Sequence, residues 1–148
     1  MYFEDYEIGK IYKDIDPIEF SEEELIHYGQ KYDPRPIHTD RQAAKASSFG
    51  QIISPGSFSN MAFWGQWVKT KIDEEGMIAG VGIKYARWHK PVFANVKYRI
   101  EVEILDKKIW KEGKFGEVTF MMRAYNPEGE LVSEYSPYGL VRCRPSSL

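Results

Sequence analysis

From Met77 onward the chain consists of long runs that alternate apolar with polar residues and are rich in β-branched and aromatic side chains. That patterning constrains the fold more than anything else in the sequence, because a period of two is the signature of half-buried strands. It predicts strands at about 77-89, 96-110, 115-126 and 130-143. Pro91 to Asn95, Glu112-Gly113-Lys114 and Asn126-Pro127-Glu128-Gly129 have the composition of hairpin connections. Before Met77 the period is helical. After an irregular lead and a short extended stretch at Asp16 to Phe20, Ser21 with Glu24 three residues on forms a capping-box pattern. The helix it opens runs to about Lys31, with Leu25, Ile26 and Tyr28 near one face and three glutamates in its first turn. The longest helix is predicted from Ser57 to about Thr70, about 21 Å long, on the recurrence of Phe58, Met61, Ala62, Gly65 and Val68. Small residues at 59, 62 and 65 would let a sheet approach it. Helices first and an antiparallel meander after imply an α+β fold in which the sheet wraps that helix. At 148 residues with 43% hydrophobic content, one domain spanning 1–148 with one core is expected.

Between the helices lies Tyr32-Asp33-Pro34-Arg35-Pro36-Ile37-His38-Thr39-Asp40, with a carboxylate and an imidazole five residues apart around two prolines. Each proline fixes its own φ and biases the preceding residue toward extended geometry, so the connector is stiff. Taken singly, Asp33 has the features of a turn residue and His38 those of a hydrogen-bonded core histidine. Together on a stiff connector they suit an acid and a base that must meet at one water or one carbon, since rigid placement removes the entropy of aligning them. Thr39 can cap a short helix through about Ala46, and Asp40 reads as a structural residue of its first turn. His27 reads as a mid-helix residue, and His89 as an exposed residue at a strand end.

The residues that follow are Ala43-Ala44-Lys45-Ala46-Ser47-Ser48-Phe49-Gly50 and Ile52-Ile53-Ser54-Pro55-Gly56-Ser57. With the connector they resemble the hydratase motif of the MaoC-like acyl dehydratases, the (R)-specific enoyl-CoA hydratases: Asp-x-Asn-Pro-x-His, an Ala-rich turn, Phe-Gly, and a His-Gly or Ser-Gly step opening a long helix. Gly82 to Val92, with Arg87-Trp88-His89-Lys90-Pro91-Val92, is similar to that family's strand with an Arg-aromatic-x-x-Pro-Val ending. The resemblance covers roughly 16-144. It implies a hotdog fold, with the longest helix as the sausage, and reversible hydration of a trans-2-enoyl thioester by Asp33 and His38. It also implies a backbone N–H at Gly56 for the thioester oxygen, because the first N–H groups of a helix lack intrahelical partners and carry the positive dipole end. Ser54, Ser57 and Ser59 would line the substrate channel. Arg35 stands where the family has asparagine, and Pro55 where it has histidine; Arg35 would act on the pair electrostatically or grip a polar acyl group or a carboxylate. The fold also hosts thioesterases, but those usually place a carboxylate on or beside the long helix, and residues 57-70 contain none. A domain that binds acyl thioesters without turnover is the non-enzyme alternative.

The expected substrate is an acyl-CoA or acyl carrier protein thioester, with no separate cofactor because CoA belongs to the substrate. Lys84, Arg87, Lys90 and Lys97 are the candidate phosphate contacts. A homodimer or higher homo-oligomer follows from the family's exposed sheet edge. Twenty basic against 22 acidic residues give a net charge of -2 and no general reason to expect nucleic acid or an acidic membrane. Nothing approaches the roughly 20 apolar residues of a membrane span, so a cytoplasmic protein is expected. Three scattered histidines argue against a metal site, and the single cysteine, Cys143, has no disulfide partner. Aromatic residues, 15% of the chain, should be core or interface.

Overall fold

In the computed structural model, which describes residues 1–146, the long alternating segments form one antiparallel sheet curled around one long helix. Two short strands lead, β1 (Ile11–Tyr12) and β2 (Ile18–Glu19), followed by the helices α1 (Glu22–Tyr32), α2 (Pro36–Thr39), α3 (Arg41–Ala46) and α4 (Gly56–Lys69). The long strands are β3 (Met77–Trp88), β4 (Lys97–Lys111), β5 (Phe115–Tyr125) and β6 (Leu131–Arg142). Their order is β1-β4-β5-β6-β3, with β2 also on β4. The α+β hotdog arrangement is therefore present, with α4 as the enclosed helix against β4, β5 and β6.

Local chemistry explains the helix boundaries. Ser21 Oγ accepts from Glu24 N–H at 3.1 Å, so the cap forms where the sequence places it. The α1 ladder ends with Asp33 N–H donating to Gly29 O at 2.8 Å, one residue before a proline. The expected cap at Thr39 is not the one used. Pro36 starts a separate turn, α2, and Asp40 caps α3, its Oδ1 accepting from Gln42 N–H and Ala43 N–H. Proline at the first helical position favours that early start, since its missing N–H is not needed there.

Two further expectations are corrected. The Pro91 to Asn95 connection is not a hairpin, because β3 pairs with β6 and not with β4. His89 N–H and Lys90 N–H both bond Val132 O, holding the chain on β6 past Trp88, and Pro91 then has no N–H to extend the ladder. The segment leaves the sheet, donates Asn95 N–H to Phe20 O at 2.8 Å, and crosses to β4 on the other side. The other two connections are hairpins as read, joining β4 to β5 and β5 to β6.

The second correction concerns α4. Met61 is 60% exposed and Val68 49%, while Ser59, Asn60, Phe63, Gln66 and Trp67 face the core. Apolar residues surround this helix on all sides, so periodicity alone does not choose a face; the rings decide, because they bury the most area. Phe63 lies 5.7 and 5.6 Å from the ring centroids of Phe20 and Tyr98, and Trp67 lies 5.2 and 6.1 Å from those of Tyr12 and Phe120. Of the small residues expected at the packed face, Ser59 alone is fully buried there; a Cβ on Gly65 would meet nothing within 4 Å.

Just beyond α4, Trp67 Nε1–H donates to Asp73 Oδ2 at 2.9 Å. Burial raises the Asp73 carboxyl above its ordinary value of 3.8, against the opposing pull of that hydrogen bond. A raised folded-state value means that stability from this group is full below its unfolded value and is lost as pH rises through the folded one. Asp73→Asn, which keeps an acceptor for Trp67, is therefore expected to raise the melting temperature at pH 7. The gain should shrink toward pH 3, as thermal unfolding at several pH values will show.

Candidate active site

Three separate segments meet at the mouth of a cleft of about 570 Å³: the Asp33 to His38 connector, residues 53–57 leading into α4, and Trp88 to Val92 at the end of β3. Asp33, the C-cap of α1, and His38, on α2, both line it. His38 is buried, and its Nδ1 lies 2.7 Å from Ile53 O. A carbonyl only accepts, so Nδ1 carries a proton, and in the neutral form of the ring Nε2 is the acceptor. That Nε2 stands 3.4 Å from Asp33 Oδ2. The imidazole is thus fixed at one nitrogen and faces the carboxylate with the other.

Packing holds the ring as well as the hydrogen bond does. A Cβ on Gly29 would come within 2.9 Å of His38 Cβ and 3.0 Å of His38 O, so α1 and α2 approach this closely only with glycine there. The Ile53 carbonyl is itself held, by Ile53 N–H to Ile37 O at 3.2 Å and by an antiparallel bridge to Phe93, while Ser54 N–H bonds Val92 O at 2.8 Å.

Gly56 opens α4 one residue earlier than the sequence suggests, after Pro55, and lines the cleft together with Ser54, Ser57 and Ser59. The first turn of a 14-residue helix, whose leading N–H groups have no intrahelical partner, therefore borders the same cleft as the Asp–His pair. Ser54 and Ser59 spend their hydroxyl protons locally, on Pro55 O and Gly56 O. Ile37, Phe49, Ile53, Pro91 and Val92 supply the apolar wall.

Arg35 sits beside the site, 73% exposed, with Nη1 2.7 Å from Asp33 Oδ1. It thus grips the aspartate, leaving Oδ2 toward His38. Of the candidate phosphate contacts, Lys84 is held by Glu117 and Thr119 and lies over Tyr138, and Lys90 is held by Glu130. Arg87 and Lys97 have no ion-pair partner among the described residues. His89, read from sequence as an exposed residue, lines the same cleft and is bonded through Nε2 to Glu134 at 2.7 Å. Gly29 and Trp88 were not singled out as site residues. Trp88 lay within the second motif, whereas nothing near Gly29 signals a contact nine residues away in sequence. Among the described residues no cluster of His, Cys, Asp and Glu could hold a metal ion, and no helix is long and apolar enough to cross a membrane.

Comparisons with known proteins bear on the family and the fold. A family model described as MaoC like domain matches residues 4–125. Mesaconyl-CoA hydratase of Cereibacter sphaeroides is 30% identical over 148 residues, 99% of this chain; the chain spans only 42% of that protein's length. Among solved structures, a monoamine oxidase regulatory protein from Archaeoglobus superimposes with a TM-score of 0.88 at 30% identity, covering 98% of this chain and 96% of that one. A MaoC-like dehydratase from Rhodospirillum rubrum gives 0.87 at 23% identity over 99% of both, a likeness of fold.

Proposed function

This chain belongs to the MaoC-like dehydratase family, and on that premise we propose that it adds water reversibly across the trans-2,3 double bond of an acyl thioester, CoA or acyl carrier protein, through Asp33 and His38. The observation that carries the reading is the locked imidazole: with Nδ1–H committed to Ile53 O, Nε2 and Asp33 Oδ2 are left to share one water. In the hydration direction that water's oxygen bonds the β-carbon while one of the pair takes its proton, and a proton returns from the pair to the α-carbon, so no net proton is consumed. Negative charge developing on the thioester oxygen meets the N–H at Gly56, in a cleft whose apolar wall strengthens such an interaction.

Incubation with a short trans-2-enoyl-CoA should bleach the enoyl absorbance without releasing thiol. Thiol release without hydration would instead identify a thioesterase. That alternative is disfavoured because α4 carries no carboxylate and Asp33 is the one carboxylate lining the cleft among the described residues.

The Arg35 contact favours one further reading, a domain that binds acyl thioesters without turning them over, since it engages the proposed base. Exposed ion pairs contribute only about 0.2–1 kcal/mol, so the pair is weak enough to yield to catalysis. Arg35→Gln, which frees the proposed base, is expected to change kcat/KM by about fivefold at most, with the difference shrinking in high salt. Stabilisation by acyl-CoA with no product in the wild-type protein would support the binding-only reading.

We also propose a homodimer. β3 is the open edge of the sheet, 12 residues long, with Ile78, Val81, Ile83 and Tyr85 exposed along it. A long apolar edge left unpaired invites aggregation, and a two-fold copy of itself covers it. Sedimentation should find a dimer for the wild type and a monomer for Ile83→Lys.

A further inference from the structure

The cleft holds more hydrogen-bond donors than Gly56, and most of its polar side chains already have a protein partner. His38 Nδ1 is paired with Ile53 O, His89 Nε2 with Glu134, Lys90 Nζ with Glu130, Ser54 Oγ with Pro55 O and Ser59 Oγ with Gly56 O. Ser57 and Trp88 are the lining side chains whose donors have no acceptor among the described residues. Of these, only Trp88 is packed onto Gly56. An ideal Cβ on Gly56 would fall 2.4 Å from both Nε1 and Cε2 of the indole and 3.0 Å from Cδ1, so the pyrrole half of the ring occupies the place of that missing side chain. Its Nε1 therefore sits against Gly56, the first residue of α4, and both residues line the cleft. The residue is half exposed and lines the cleft, and its N–H has no protein acceptor among the described residues.

An enolate oxygen carries more than one lone pair and takes two donors better than one. We propose that Trp88 is a catalytic residue, its indole N–H donating with the Gly56 N–H to the thioester carbonyl oxygen. This deepens the function proposed above and rests on it. It also gives residue 56 a reason to be glycine, since a methyl group there would displace the donor.

The test replaces Trp88 with 3-benzothienylalanine, which keeps the ring's shape and volume and puts sulfur where the N–H was, and in parallel with Phe. Loss of one such donor costs on the order of 10²-fold in kcat, and that loss is expected in both variants with KM changed by less than about threefold. In ¹⁵N-labelled wild-type protein, the Trp88 indole proton, assigned by its absence in Trp88→Phe, should move downfield on adding saturated butyryl-CoA, which binds but has no double bond to hydrate. Full kcat in the benzothienyl variant, or an indole signal unmoved by saturating butyryl-CoA, overturns the proposal even if the wild type hydrates enoyl-CoA. A wild type that hydrates no enoyl thioester refutes the parent reading instead. The indole shift then still reports whether Trp88 holds a thioester.

Discussion

Asp33→Asn and His38→Gln should each lower kcat for enoyl-thioester hydration by about 10²–10⁴-fold, the range that a positioned acid–base group contributes. The double variant should be little worse than the more damaged single one, because two groups sharing one water fail as a unit. Additive losses would mean that they act in separate steps. The two single variants should part company in stability. His38→Gln disturbs a buried hydrogen bond to Ile53 O, and an orphaned buried acceptor costs about 1–3 kcal/mol, so its melting temperature should fall. Asp33 is partly exposed and among the described residues its side chain pairs with Arg35 and His38 alone, so Asp33→Asn should melt close to the wild type. Steady-state kinetics beside thermal melts checks both halves. Retained activity in either variant would remove that residue from the mechanism.

The largest stability effect is expected at Trp67→Ala. Trp67 is fully buried among the rings of Tyr12, Trp64 and Phe120, and truncating a core aromatic costs about 3–5 kcal/mol. The same change strips Asp73 of its indole donor while leaving the carboxyl buried, which adds to the loss. Against a typical total of about 5–15 kcal/mol, urea unfolding should show a midpoint near the edge of the folded range. The double variant Trp67→Ala with Asp73→Asn should recover part of the difference, since Asn carries no charge to bury. No recovery would mean that the stranded carboxyl contributes little.

What could be read from sequence divides along a physical line. Asp33, His38 and Gly56 were legible because their chemistry is local: a proline-stiffened connector and a helix start are set by neighbours in the chain. The alternating runs gave the strands, and their turn residues gave two of the three connections. What failed was non-local. β3 looks equally ready to pair with β4, and the partner it takes instead, β6, starts some forty residues downstream of its end. The buried face of α4 was misjudged because Met61 and Val68 repeat as regularly as Phe63 and Trp67, and the partners that choose between them, Phe20, Tyr98 and Phe120, lie on other elements. Trp88 and His89 reach the cleft only through that same β3–β6 pairing, so a window around them could not show where they go.

The pairing also sets an order of events during synthesis. β3 leaves the ribosome before β4 and β5, but its hydrogen-bonding partner is the last strand made, with Met77 opposite Val141. Contacts of that sequence separation form late and slow folding, because a long loop must close before they contribute. Until β6 arrives, a twelve-residue apolar strand waits unpaired on both sides, the kind of segment that draws chaperones or aggregates. The Trp88 to Val92 wall is anchored to that strand, so a nascent chain can hold its Asp33–His38 connector long before it has a cleft to use it in.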